Sequence, residues 1–310
     1  MADKISVTGD SRIRHYTAVL NGTTYGYLLS LPEGGKYKAT VFLIHGFPDI
    51  SMGWRYQIPA LTKLGFRVVA PDCMGYGRTE APEFSEESAA RYGFKQCADD
   101  MKELARQLGT SQIVLGGHDC PPTKEYIPLE TLIKTRLPYF GYQLQFVSGD
   151  LEKKIKSKRD IRQFLLSLYG GRTPTGEFGF DVFNGVLLDK FQHLQRSKVI
   201  SEEELNYYVD EYARNGVRGP LNWYRTREQN YKDDLSLLGR KLDIPVLFIL
   251  ATQDEALRPA LSRNMSKYLP NLTTAKVTAG HWALWQASTE CNEAISKWME
   301  AVVFGGKSKL

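Results

Sequence analysis

Five short runs of branched and aromatic residues, each halted by turn residues, limit what this chain can fold into. Residues 41–44 (VFLI), 66–70 (FRVVA) and 112–115 (QIVL) come first, and 244–252 and 273–278 follow much later. Each run has strand length and ends in a loop. Helical patterns lie between them at 54–64 and 95–108, the second apolar at Cys97, Met101, Leu104, Ala105 and Leu108 and stopped by Gly109. Strand and helix in alternation spell a mostly parallel sheet flanked by helices.

Between the third and fourth runs the pattern turns to helices only, with candidates at 129–135, 151–169, 202–215 and 221–238. Ser201 followed by Glu204 marks a capping box. A last helix is expected over 286–304. The chain therefore divides into residues 1–122 as the first part of an α/β core, 123–240 as an inserted helical lid and 241–310 as the rest of the core.

Composition removes other classes. With 42% hydrophobic and 24% charged residues, the chain is neither disordered nor fibrous. The net charge is +5, and the basic run 153–162 reads as a solvated helix face rather than a nucleic-acid groove. The longest apolar run, 245–251, is far short of the ~18 residues of a membrane span. The first residues lack the apolar core of a secretory signal, so secretion is not expected. Cys73, Cys97, Cys120 and Cys291 have no ligand spacing and are read as reduced thiols with no metal site. At the other end, Ser308-Lys309-Leu310 is the tripeptide read by the peroxisomal import receptor, which makes that receptor an expected partner and the peroxisome the expected location.

In α/β sheets, reactive groups collect at the carboxyl ends of strands. Three such ends hold Asp119, Asp254 and His281. Nucleophile, acid and base in that order is the triad order of α/β-hydrolases. Singly, each has a plainer reading as a turn, a cap or a packed histidine; together and in order they point to a site.

The chain resembles the soluble epoxide hydrolases of the α/β-hydrolase superfamily over nearly its whole length. The resemblance rests on His45-Gly46-Phe47-Pro48-Asp49, Gly53-Trp54-Arg55-Tyr56-Gln57, Ala70-Pro71-Asp72 with Gly75-Tyr76-Gly77, Gly117-His118-Asp119, Tyr142-Gln143-Leu144-Gln145, Gly219 to Arg225 and Gly280-His281-Trp282. It implies Asp119 as nucleophile, His281 as general base and Asp254 as the residue orienting it. Tyr142 and Tyr224 become proton donors to the epoxide oxygen, and the backbone N–H groups of Phe47 and Cys120 hold the oxyanion. With the Ser-Lys-Leu end, the motif set is similar to abhydrolases encoded in fungal clusters for host-selective toxins built on epoxy-decatrienoic acid. An apolar epoxide of fatty-acid or polyketide type is the substrate class this implies, with water as co-substrate and no cofactor.

The residue types suit that chemistry. Attack by a carboxylate on an sp3 carbon gives an ester that water can cleave, whereas a serine would be left as an ether. No G-x-S-x-G occurs, which removes the lipase reading. A phenol stays neutral at working pH and can protonate an alkoxide. Tyr142 and Tyr224 could instead simply pack the lid, and Trp54, Trp223 and Trp282 could line a pocket or the core.

One departure from the family is large. After Asp119 a helix and another parallel strand are expected, yet Cys120-Pro121-Pro122 follows and only 22 residues separate Asp119 from Tyr142. A strand–helix–strand unit needs about 30. That helix and strand are missing, and Pro121 restricts the backbone where the nucleophile turn should be tight. Two further readings stay open: a dehalogenase using the same Asp, His and Asp, and a non-catalytic protein that binds a ligand under its lid.

Overall fold

The computed structural model describes residues 2–86, 88–118 and 126–305. Its first two strands, β1 (Arg14–Leu20) and β2 (Thr23–Ser30), form an antiparallel hairpin. The turn between them is Asn21-Gly22, both with positive φ (45° and 85°), the twist that joins two strands most tightly. The strand runs read from the sequence do not include this hairpin, although Asn-Gly is its signal.

Next come β3 (Ala39–Ile44), α1 (Gln57–Lys63), β4 (Phe66–Pro71), α2 (Phe94–Gln107) and β5 (Val114–Gly117). They build a five-stranded sheet in the order β1-β2-β4-β3-β5, with β3 parallel to both β4 and β5. Every residue of β4 is buried, as a strand covered on both faces must be.

The lid region opens with α3 (Leu129–Thr135), α4 (Tyr142–Ser148), α5 (Asp150–Lys154) and α6 (Lys158–Leu168). The single helix expected over 151–169 is thus two. Ser157 breaks it by accepting the Asp160 amide while Asp160 accepts the Ser157 amide, a capping box that starts a new helix. The helices-only reading of 121–240 also needs correction. A small antiparallel pair, β6 (Phe180–Asp181) and β7 (Gly185–Val186), sits between α6 and α7 (Glu202–Asn215). Glycines at 170, 171, 176, 179 and 185 make that stretch unsuited to a helix. The helix expected over 221–238 is also divided, into α8 (Arg218–Arg225) and α9 (Arg227–Asp234).

The chain closes with β8 (Val246–Ala251), β9 (Leu272–Val277), a short α10 (Ala283–Gln286) and α11 (Ser288–Met299), which runs on as a π-helical turn over Glu300–Phe304, so the helix expected over 286–304 is present from Ser288 onward. Among the described strands, β8 and β9 pair in parallel with each other and stand apart from the five-stranded sheet. In consequence β8 is only half-buried along its whole length, and Leu115 on β5 is 64% exposed. The break falls where the sequence reading counts too few residues after Asp119 for a helix and a strand. Among the described residues, no helix is long and apolar enough to cross a membrane.

The basic run 153–162 lies on the surface and is ion-paired: Lys153 with Asp150, Lys158 with Asp210 and Arg162 with Glu202.

Candidate active site

The loop after β3 is held from within. His45 is buried, its Nδ1 3.0 Å from the Gly46 carbonyl and its Nε2 accepting the Cys73 amide. A ring that donates at Nδ1 and accepts at Nε2 is neutral, and burial pushes its pKa down to about 4 in spite of the Gly46 bond. Asp72, also buried, accepts the amides of Ser51 and Arg78 and joins this loop to the one after β4. Phe47 therefore sits on a fixed loop, its ring against Phe146, Phe164 and Tyr224.

His281 and Asp254 meet as expected from their strand ends. His281 Nδ1 lies 3.0 Å from Asp254 Oδ2, while Asp254 Oδ1 accepts the amides of Ala256 and Leu257. Burial opposes the charge on Asp254, but the bond and charge of His281 and those two amides outweigh it and hold the carboxyl below its usual range. His118, the last described residue after β5, has its Nε2 3.0 Å from the His281 carbonyl, with the two rings 5.0 Å apart. His281 is thereby placed against the end of β5. Asp119 and Cys120 lie outside the described residues, as do Ser308, Lys309 and Leu310.

Tyr142 opens α4 and Tyr224 lies near the end of α8, with ring centroids 6.2 Å apart and edge-on. Phe146 touches both rings and Phe180 touches Tyr142, which makes an aromatic wall. Gln143 donates to the Tyr142 hydroxyl at 3.3 Å. Arg225 locks the two helices together, bonding Glu152, Asn222 and the Phe146 and Val147 carbonyls. A close approach brings α8 to the core: a Cβ on Gly75 would lie 2.6 Å from Gly219 Cα, so neither position admits a side chain without pushing the two backbones apart.

Of the three tryptophans named above, Trp54 is core, Trp223 donates to the Met74 carbonyl, and Trp282 stacks on His118 with its other neighbour Tyr169 tilted against it. Sequence reasoning missed Tyr169, Tyr208 and Tyr212, lid residues that bond the Phe47 loop. Nothing distinguishes them by spacing from the other tyrosines. Among the described residues, no cluster of His, Cys, Asp or Glu is placed to hold a metal.

The α/β hydrolase fold family matches residues 39–120. The epoxide hydrolase srdG of Neurospora crassa is 35% identical across 94% of this chain and 96% of its own length. The chain belongs to the epoxide hydrolase family. Rat bifunctional epoxide hydrolase 2 is 32% identical over 91% of the chain, which matches 56% of that longer protein. In structure, the epoxide hydrolase from an endophytic Streptomyces superposes with a TM-score of 0.79 at 22% identity, covering 95% of this chain and 97% of that one. VrEH1 from Vigna radiata gives 0.77 at 23%, covering 94% and 99%; both likenesses speak to the fold. As an epoxide hydrolase-like hydrolase, the protein works with water and calls for no cofactor.

Proposed function

We propose that this hydrolase opens an apolar epoxide to a diol through an ester on Asp119. The carboxylate attacks an epoxide carbon, the C–O bond breaks, and the alkoxide takes a proton from Tyr142 or Tyr224. His281 then removes a proton from water, and the hydroxide attacks the ester carbonyl. The tetrahedral oxyanion is held by the amides of Phe47 and Cys120. Collapse releases the diol and restores the carboxylate, and the proton on His281 returns to the tyrosinate. The observations that carry this reading are the His281–Asp254 pair tied to the end of β5 and the two lid phenols set edge-on in an aromatic wall, one of them against Phe47. That wall suits a substrate of fatty-acid or polyketide type. Import through Ser308-Lys309-Leu310 and a place in fungal toxin biosynthesis are part of the same proposal, which the fungal relative and the sequence of the tail support.

The test is diol formation from a panel of apolar epoxides by the purified 310-residue protein, with Asp119→Asn beside it and circular dichroism on both. Turnover lost in the variant is the expected result. No turnover from a folded parent favours a ligand-binding role, for which the split between β5 and β8 is the specific observation. Replacing both Tyr142 and Tyr224 by Phe is expected to abolish epoxide opening, whereas a dehalogenase would be less affected. Loss of punctate peroxisomal localisation on deleting the last three residues tests the import signal.

A further inference from the structure

The loop bearing Phe47 is bolted to the lid from three buried hydroxyls. Tyr212 donates to the Pro48 carbonyl at 2.6 Å, Tyr169 to the same carbonyl at 3.3 Å, and Tyr208 to Asp49 Oδ1 at 2.5 Å. All three rings and Asp49 are buried, and burial holds each phenol protonated, well above its usual pKa. Burying hydroxyls is costly unless they are bonded, and phenylalanine would fill the same space without that cost. Two of them nevertheless converge on one carbonyl and the third on the next residue.

Within the loop, the Asp49 amide donates to the Gly46 carbonyl and Asp49 Oδ1 also accepts the Ile50 amide. Residues 46–50 are thus a closed turn with Phe47 inside it, gripped at Pro48 and Asp49 from α7 and from Tyr169, next after α6. The Phe47 ring adds a second link, 5.2 Å from Tyr224. We propose that Tyr208 and Tyr212 are positioning residues that fix the Phe47 amide where the ester's oxyanion forms, so that their grip on this loop governs ester hydrolysis and not epoxide opening. This inference rests on the two-step reading above.

The asymmetry between the steps follows from where charge develops. In the first step negative charge leaves the Asp119 carboxylate for the epoxide oxygen, which the lid phenols serve. Only in the second does it gather on the former carboxyl oxygen, which the Phe47 amide serves. Loosening the loop therefore slows one step alone.

The experiment follows styrene oxide in a quenched-flow instrument, with the ester on Asp119 counted by mass spectrometry, for the parent, Tyr208→Phe, Tyr212→Phe and the double variant. Tyr207→Phe, on the same helix and bonded to neither Pro48 nor Asp49, is the control. Each single variant is expected to form ester at the parental rate and hydrolyse it about 10-fold more slowly, and the double about 100-fold more slowly. In the steady state kcat and KM then fall together and kcat/KM holds, a signature that general damage does not produce. Should the double variant fail to fold, Tyr212→Phe alone decides. Hydrolysis within about 2-fold of the parent in the folded variants, or equal slowing of both steps, overturns the inference. Absence of any ester on the parent instead overturns the two-step reading, and this inference with it.

Discussion

His118 Nε2 lies 3.0 Å from the backbone carbonyl of His281, which ties the end of β5 to the loop after β9. A carbonyl only accepts, so His118 donates from Nε2. Among the described residues β5 ends its sheet with no strand on its far side, and this bond joins its end to the loop after β9 instead. The rings of His118 and Trp282 stack at 6.0 Å and complete the link.

His118→Phe keeps that stack and removes the bond. Because small displacements of a general base cost much in rate, kcat should fall about 10-fold with the fold intact. Steady-state kinetics with far-UV circular dichroism would check it, and an unchanged kcat would show that the His281 loop is held by other contacts.

Asp254→Asn is expected to cost far more. In the proposed mechanism the carboxylate would fix which nitrogen of His281 carries the proton and stabilise the imidazolium formed when water is deprotonated. An asparagine keeps the shape but supplies no charge, so ester hydrolysis should slow by about 10⁴-fold. Ester trapped on Asp119 in the variant, seen by intact mass, is the measurement.

The two reactive partners that the structure brings together were legible because both stand where an apolar strand stops, a relation that sequence order alone reveals. The separation of β8 and β9 from the other five strands agrees with the arithmetic that 22 residues cannot hold a helix and a strand beside a lid. What the sequence hid was of two kinds. Gly-rich stretch 170–185 carries no periodicity, so its short β6–β7 pair is set by tertiary contacts such as Gln145 bonding Val186. Tyr169, Tyr208 and Tyr212 carry no signal in the sequence, and only the convergence of their hydroxyls on Pro48 and Asp49 singles them out.

Two buried carboxylates should give the stability opposite dependences on pH. Glu204 bonds Arg55, which has no exposed side-chain surface, at 2.7 Å and Lys4 at 2.9 Å. Burial opposes its charge, yet Arg55, the Ser201 amide and Lys4 prevail and bring its pKa to about 2. Its contribution is complete above the unfolded value of about 4.5 and is lost as pH falls through 2. Asp49 is the reverse: burial raises it to about 6 against the bonds of Tyr208 and Ile50 and the charge of Arg55, with Asp72 adding to the rise. Its contribution is complete below the unfolded value of about 3.8 and is lost as pH rises through 6. Urea unfolding should find Asp49→Asn equal to the parent near pH 4 and more stable at pH 8 by up to about 3 kcal/mol. Glu204→Gln should cost about 3–5 kcal/mol at pH 7, because it strands the buried Arg55.

The exposed edge of the split sheet gives the last expectation. Leu115 pairs in register with Phe42 on β3, yet Phe42 is fully buried and Leu115 is 64% exposed. Ile244, Leu237 and Leu242, on the approach to β8, are likewise more than half exposed. A leucine that is already mostly in water has little transfer free energy to lose, so Leu115→Ser should change stability by no more than about 0.5 kcal/mol. Phe42→Ala, one strand inward, should cost about 3–5 kcal/mol. Urea unfolding of the two variants separates these outcomes, and size-exclusion chromatography adds a second reading. If Leu115→Ser costs more than about 2 kcal/mol, or shifts the elution of the folded protein, then the edge is covered in solution and the gap left after β5 is filled by another chain.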